Sequence, residues 1–552
     1  MSLDLSPGAL SLRPPEQVMR LARLGAMHRT RLSFMPTLLR RLFAGGWRVD
    51  RPLWEIDARG VGRAAYRLRG PRSYTLVAFA HDLPPECRSD RVIAEAWDAT
   101  FALVDGEPDA EDLARLAANV PRQEAGRIGV RELVLSRANR SVRLFGHVRD
   151  RLAEGRQPDP AQLAGVGYLM RTTAVYGSGK FGAADRDLWA DRAEFAGAFQ
   201  PEMLAVWLIR AFTLDLVEHM AAAQAPGRAV RLAPALRRRL GVGNSTGLGM
   251  APFLVNHPAL LDAWIGARET ALARMRARPD ASDDERARFS DLLAAAEADA
   301  ADWHVADPAY AARIAGLRSD LATLRAAWTT KAEAARPWDA LYRWVEASLG
   351  LEAQERLVSL LIDLAGAAVD DLAATMSADE TACFRIDGRM GTAALMAGIA
   401  RDYPWALHTD FRAAEAAARV WYVSEEKLEP RLGDRSDPGL TAYEQPLATG
   451  RDVAALAAVL QTALETSGDM PIADLLLRRP EHRHAVRRVQ RAMRRPYAEI
   501  RDNLIGAELL PIDLLRAKLA FFGATRFDPR SDRWLRITMF ADAPLPDDLG
   551  AA

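Results

Sequence analysis

Three short stretches decide the fold: Trp54-Glu55-Ile56-Asp57, Ala65-Tyr66-Arg67-Leu68 and Tyr74-Thr75-Leu76-Val77-Ala78-Phe79. Each carries the alternation expected of a half-buried strand. Arg59-Gly60 and Gly70-Pro71 separate them with turn signals. Connections this short cannot hold crossover helices, so the predicted arrangement is an antiparallel meander. A fourth element, Val92 to Val104, ends at Asp105-Gly106 and fits either a strand or a helix. Upstream, Val18, Leu21, Leu24, Leu38, Leu39 and Leu42 recur at helical spacing, with Pro36 opening the second helix. Residues 1–108 thus read as an α+β unit.

Downstream the period becomes helical. Asp109-Ala110-Glu111-Asp112 is an acidic helix start. Amphipathic helices are predicted over Glu132 to Leu152, Ala161 to Thr173, Glu202 to Ala223 and Pro258 to Arg278, and on to Ala485 to Arg494. Ser282 and Glu285 have capping-box spacing. The tail Trp534 to Phe540 alternates again and predicts a C-terminal strand that returns to the sheet. The fold class is therefore mainly α (α+β), with a large helical body, a small N-terminal meander and a terminal strand. The expected divisions are 1–108, a helical core at 109–432, and a helical region at 440–552, set off by the loop Gly433 to Gly439.

The 552 residues suit about three domains at ~100–200 residues each. Lys plus Arg number 73, as do Asp plus Glu, so the net charge is zero and a globally cationic nucleic-acid or membrane-surface protein is excluded. Two cysteines, Cys87 and Cys383, exclude a disulfide scaffold. Met1 to Pro15 lacks the order of a signal peptide, and no apolar run approaches the ~20 residues of a membrane span. The chain reads as soluble and cytoplasmic, with no membrane partner. Only four of the basic residues are lysines: Lys180, Lys331, Lys427 and Lys518. Where arginine is so favoured, each retained lysine hints at a need for a compact ammonium.

Lys180 stands in the most informative segment, Thr172-Thr173-Ala174-Val175-Tyr176-Gly177-Ser178-Gly179-Lys180-Phe181-Gly182. Gly177, Gly179 and Gly182 match G-x-G-x-x-G, a spacing that lets backbone N–H groups approach a phosphate. The flanks lack the strand–helix–strand rhythm of a dinucleotide fold. Ala174 and Phe181 break a Walker A motif. Two readings stand: a helix cap with a tight turn, or an anion-binding loop of another fold. A second loop favours the latter. Gly241-Val242-Gly243-Asn244-Ser245-Thr246-Gly247-Leu248-Gly249 sets small polar residues between glycines, as in an anion nest, and Asn256 and His257 follow.

Arg137 and Asn139, read as helical, and Arg171, which leads into the first loop, have the chemistry to orient a carboxylate or phosphate. Glu218 and His219, in an otherwise apolar helix, are candidates for proton transfer. Histidines and acids show no metal-ligand spacing. The segment Arg478 to Arg495 is strongly basic, with Arg487, Arg491, Arg494 and Arg495 predicted along one side of a helix. The leading expectation is an enzyme for a small phosphate- or carboxylate-bearing metabolite. Its binding residues would be Arg137, Asn139, Arg171, Gly177, Ser178, Gly179, Gly182, Gly243, Asn244, Ser245, Thr246, Gly247, Asn256 and His257; Lys180, Glu218 and His219 would be catalytic. No cofactor and no metal are assigned, and a homo-oligomer is left open. The alternatives are a nucleic-acid or nucleotide-binding protein using the basic helix, and a non-catalytic helical scaffold.

Overall fold

The computed structural model describes residues 11–82, 97–121, 129–172, 182–183, 191–245, 258–305, 308–364, 366–376, 386–410, 420–423, 430–433, 444–446, 449–500, 511–528 and 536–549. The chain forms two units, each gathered from three stretches. One comprises 27–247, 290–325 and 518–552; the other comprises 1–26, 248–289 and 326–517.

The first unit is built on a mixed sheet. Strands β1 (Arg48–Ile56), β2 (Gly62–Arg69), β3 (Ser73–Ala80) and β4 (Ala99–Asp105) form the expected antiparallel meander. The sheet then continues where helix was expected. Glu132–Arg140 is β5 and Tyr168–Thr172 is β6, followed by the two-residue β7 (Gly182–Ala183) and by β8 (Gly241–Ser245). Burial contributes to the misreading, together with the helices that separate these strands from the meander. β5 is buried at eight of nine positions and β6 at all five, so neither shows the period-two pattern of a half-solvated strand. Arg140 and Arg143 are accordingly not helical neighbours.

In the other unit, β9 (Val420–Val423), β10 (Pro430–Gly433) and β11 (Glu444–Pro446) make a small sheet with β9 central. The terminal strand β13 (Arg536–Met539) returns to the large sheet as expected, and a strand that was not expected, β12 (Arg526–Asp528), pairs with it. Its order is β1-β2-β3-β4-β5-β6-β8-β13-β12, with β7 also on β5.

The helix Gln200–Gln224 crosses one face of this sheet. Phe212 packs edge-on against Phe101 of β4, with centroids 5.5 Å apart. Its middle carries a buried arginine: Arg210 donates to the carbonyls of Leu240 (2.7 Å) and Ala543 (2.9 Å). The opposite sheet face buries Val77, Phe79, Ala102, Val104 and Leu135 under the helix Ala110–Asn119. Asp109 caps that helix, accepting from the Asp112 amide at 2.8 Å.

The second unit is helical and carries a buried ion cluster. Arg13 binds Glu269 through Nε (2.8 Å) and Nη2 (2.7 Å), and Glu355 through Nη1 (2.7 Å). Arg268 adds a 2.7 Å bond to Glu355, and both glutamate side chains are wholly buried. Elsewhere in the unit, Leu395, Ile399, Leu456, Leu460, Val486 and Val489 form an apolar core.

Burial alone would raise the Glu355 pKa, but Arg13 and Arg268 outweigh it and hold the carboxyl at about 2. The folded value lies below the ordinary 4.5, so this stabilisation is complete above pH ~4.5 and is lost as pH falls toward 2. Denaturant titrations should show a decline over that window, on the order of 3 kcal/mol at most for this group. Glu355→Gln should flatten the decline.

Candidate anion site at the strand ends

Cα partners on adjacent strands direct their side chains to the same face, so the register defines two rows. Asn139, Arg171, Gly243 and Thr538 form one row across β5, β6, β8 and β13. Ala138, Thr172, Asn244 and Ile537 form the neighbouring row, on the opposite face. Arg137 pairs with Thr100, and Arg536 with Ser245, so both arginines share the face of Arg171. Three arginines and Asn139 thus occupy one face over four adjacent strands. Arg171 is fully buried and Arg536 nearly so.

Arg137 lies 3.8 Å above the Trp97 ring, and burial lowers its pKa to about 9, so it stays cationic at neutral pH. Asn139 Oδ1 accepts the amide of Asp98 (2.9 Å), while the Asp98 carboxylate accepts the amide of Arg140 (2.8 Å). His81 Nε2 lies 3.3 Å from Thr100 Oγ1, and burial lowers its pKa.

β6 and β8 are the only parallel neighbours among the described strands. Both expected glycine loops therefore begin at the same end of the sheet, after Thr172 and after Ser245, from neighbouring strands about 4.8 Å apart. The first is also anchored at its far end. Thr172 pairs with Ala138, and Gly182 pairs with Leu135, on the same strand β5. Three residue steps of β5 separate these anchors, about 10 Å at ~3.4 Å per residue. Arg137 and Ser136 are the β5 residues between them. Segment 173–181, with Gly177, Ser178, Gly179 and Lys180, lies outside the described residues, as do Thr246, Gly247, Asn256 and His257.

Gly243 and Asn244 were expected in a loop; both belong to β8. The glycine is there for close packing. A Cβ at Gly243 would come within 2.8 Å of Arg171 Cγ and 2.9 Å of the Tyr168 ring. Asn244 is 2% exposed and bonded at both ends of its amide. Its Nδ2 donates to Thr172 O (3.2 Å), and its Oδ1 accepts from Lys518 Nζ (2.7 Å). Lys518 lies on the helix Pro511–Phe522, and burial lowers its pKa to about 7. Sequence reasoning missed Lys518, Arg536, Trp97 and Asp98. Lys518 did carry one signal, as one of the four lysines.

Glu218 and His219 are not brought to the arginine row. Their helix covers the face that bears Phe101, whereas Arg137 and Arg171 point to the other. Glu218 pairs with Arg237 (3.0 Å). His219 Nδ1 accepts from Trp54 Nε1 (3.4 Å), and its Nε2 lies 3.0 Å from Asp57 O. Both are fastenings of the helix to its surroundings.

The helix in the basic segment has the expected length but starts and ends two residues earlier than expected. Its regular part is Arg483–Ala492, and Arg494 has a left-handed φ of 64°. Arg488 is paired with Glu499 at 3.0 Å. Among the described residues, no group of three or more His, Cys, Asp or Glu side chains is placed to hold a metal ion, and no helix is long and apolar enough to cross a membrane. Compared with protein-family models, curated proteins and solved structures, the chain matches none.

The Gly243 geometry yields a direct test. Gly243→Ala must displace the stem of Arg171 or the Tyr168 ring, which should cost ~1–3 kcal/mol by denaturant unfolding. Ala138→Gly, on the opposite face, should leave Arg171 undisturbed and serves as the control for nonspecific loss.

Proposed function

We propose that the chain is an enzyme that binds a small metabolite through its phosphate or carboxylate at the carboxyl ends of β6 and β8. One observation carries this reading: two glycine-rich segments depart from adjacent parallel strands, beside a sheet face bearing Arg137, Arg171 and Arg536. Carboxyl ends of parallel strands are a recurrent place for ligands, since the segments that follow can cradle them while the strands stay rigid. Glycines admit backbone N–H groups close to an oxyanion. Guanidinium groups supply forked donors that fit phosphate and carboxylate oxygens. In this reading Lys180 adds a compact positive charge from the first segment, where it would stabilise charge developing on the substrate. Arg137 and Arg171 orient the anion, and Asn139 holds the backbone turn at Asp98 beside them.

The test is calorimetric titration of the chain with inorganic phosphate and with pyrophosphate. Lys180→Ala and Arg137→Gln should each weaken binding about 10- to 100-fold, the range for a charge-assisted contact. Lys180→Ala should leave the melting temperature within a degree or two. Wild-type affinity in both variants, or no binding by the wild type, would overturn the proposal.

A further inference from the structure

Lys518 is 5% exposed, on a helix whose neighbouring residues Phe521 and Phe522 pack against Phe34. A buried ammonium is expensive, and a methionine of similar shape would fill the same space without that expense. What the lysine adds is direction. Its Nζ donates to the oxygen of the Asn244 amide at 2.7 Å. That fixes the other end of the amide as a donor toward Thr172 O. The bonding thus runs from the helix to β8 and on to β6. The β6–β8 register shifts between Tyr168 and Arg171, and among the described residues the pairs Arg171–Gly243 and Thr172–Asn244 lie beyond the shift. One of those pairs contains a glycine, and parallel pairing is the weaker kind. Thr172 is the last residue before segment 173–181, and Asn244 stands one residue before the end of β8.

We propose that Lys518 is a positioning residue for the anion site: by orienting the Asn244 amide it clamps β6 to β8, so that both glycine-rich segments start from a fixed pair of points. The clamp's role in binding rests on the anion-site reading above; the clamp itself rests on the geometry alone. Asn244 is accordingly a strut of the site and not a ligand contact.

Two variants of the full chain test this. Lys518→Met removes the donor and keeps the volume. Asn244→Asp keeps an acceptor for Lys518 but removes the N–H that reaches Thr172 O. In both, amide deuterium exchange in 168–172 and 241–245 should accelerate about tenfold or more, the scale of one lost hydrogen bond, while exchange in β1–β4 is unchanged. Inorganic phosphate should bind about tenfold more weakly at an unchanged melting temperature, a combination that a purely space-filling lysine would not produce. Unaltered exchange in Asn244→Asp overturns the clamp, even if Lys518→Met fails to fold. Faster exchange with undiminished phosphate affinity overturns its role in positioning. Should the wild type bind no phosphate, the anion-site reading falls, and exchange still decides the clamp.

Discussion

Beyond the register shift in the β6–β8 ladder, and among the described residues, the pairs Arg171 with Gly243 and Thr172 with Asn244 join the two halves of the large sheet. On one side stands the meander that begins at Arg48; on the other stand β8 and the terminal strands that end at Met539. The identity of the residues near this seam follows from how closely its side chains pack. Position 243 must lack a side chain, because Arg171 and Tyr168 occupy the space a Cβ would need. Position 244 must reach both ways, to Thr172 and to Lys518. The arginine face is arrayed on either side of the seam, so the charge of the candidate site depends on the register that the seam enforces.

Buried charge recurs at several places where the chain ties together distant stretches of sequence. Arg210 reaches the carbonyls of residues 240 and 543. Arg13 reaches residues 269 and 355. Lys518 reaches residue 244. Apolar packing would stabilise these places at less expense, but it is non-directional and tolerates sliding. A guanidinium among carbonyls accepts one arrangement. Burial lowers the Arg210 pKa to about 9, which still leaves it charged at neutral pH and able to keep all its donors. In the ion cluster the carboxylates are bonded directly, whereas Arg210 donates to carbonyl oxygens, with Asp542 and Asp548 acting on it by charge.

The meander was legible because Gly60 and Gly70 mark short turns between runs of strand-forming residues, even though β3 is buried at seven of its eight positions. The terminal strand was legible from its alternating residue types, although all four positions of β13 are buried. β5 and β6 were not, because helices and not short turns connect them to the strands before them, and Glu132 to Arg140 reads as an amphipathic helix until its neighbours are known. That misreading still left Arg137, Asn139 and Arg171 among the candidates, since their chemistry does not depend on the element that carries them. At i and i+2, Arg137 and Asn139 share a strand face, which a helix would not have given them. Lys518 and Arg536 lie hundreds of residues from the rest of the site, and only the closure of the sheet brings them near. Glu218 and His219 illustrate the converse. Their polarity in an apolar helix drew attention, and the bonds to Arg237, Trp54 and Asp57 account for it.

The attachment of segment 173–181 to a single strand has a consequence for the history of such a chain. Because Thr172 and Gly182 are both sewn to β5, residues can be added to or removed from the nine between them without shifting the register of any strand. Both anchors sit on one strand, so a change of chain length between them can be inherited while every pairing of the sheet is kept.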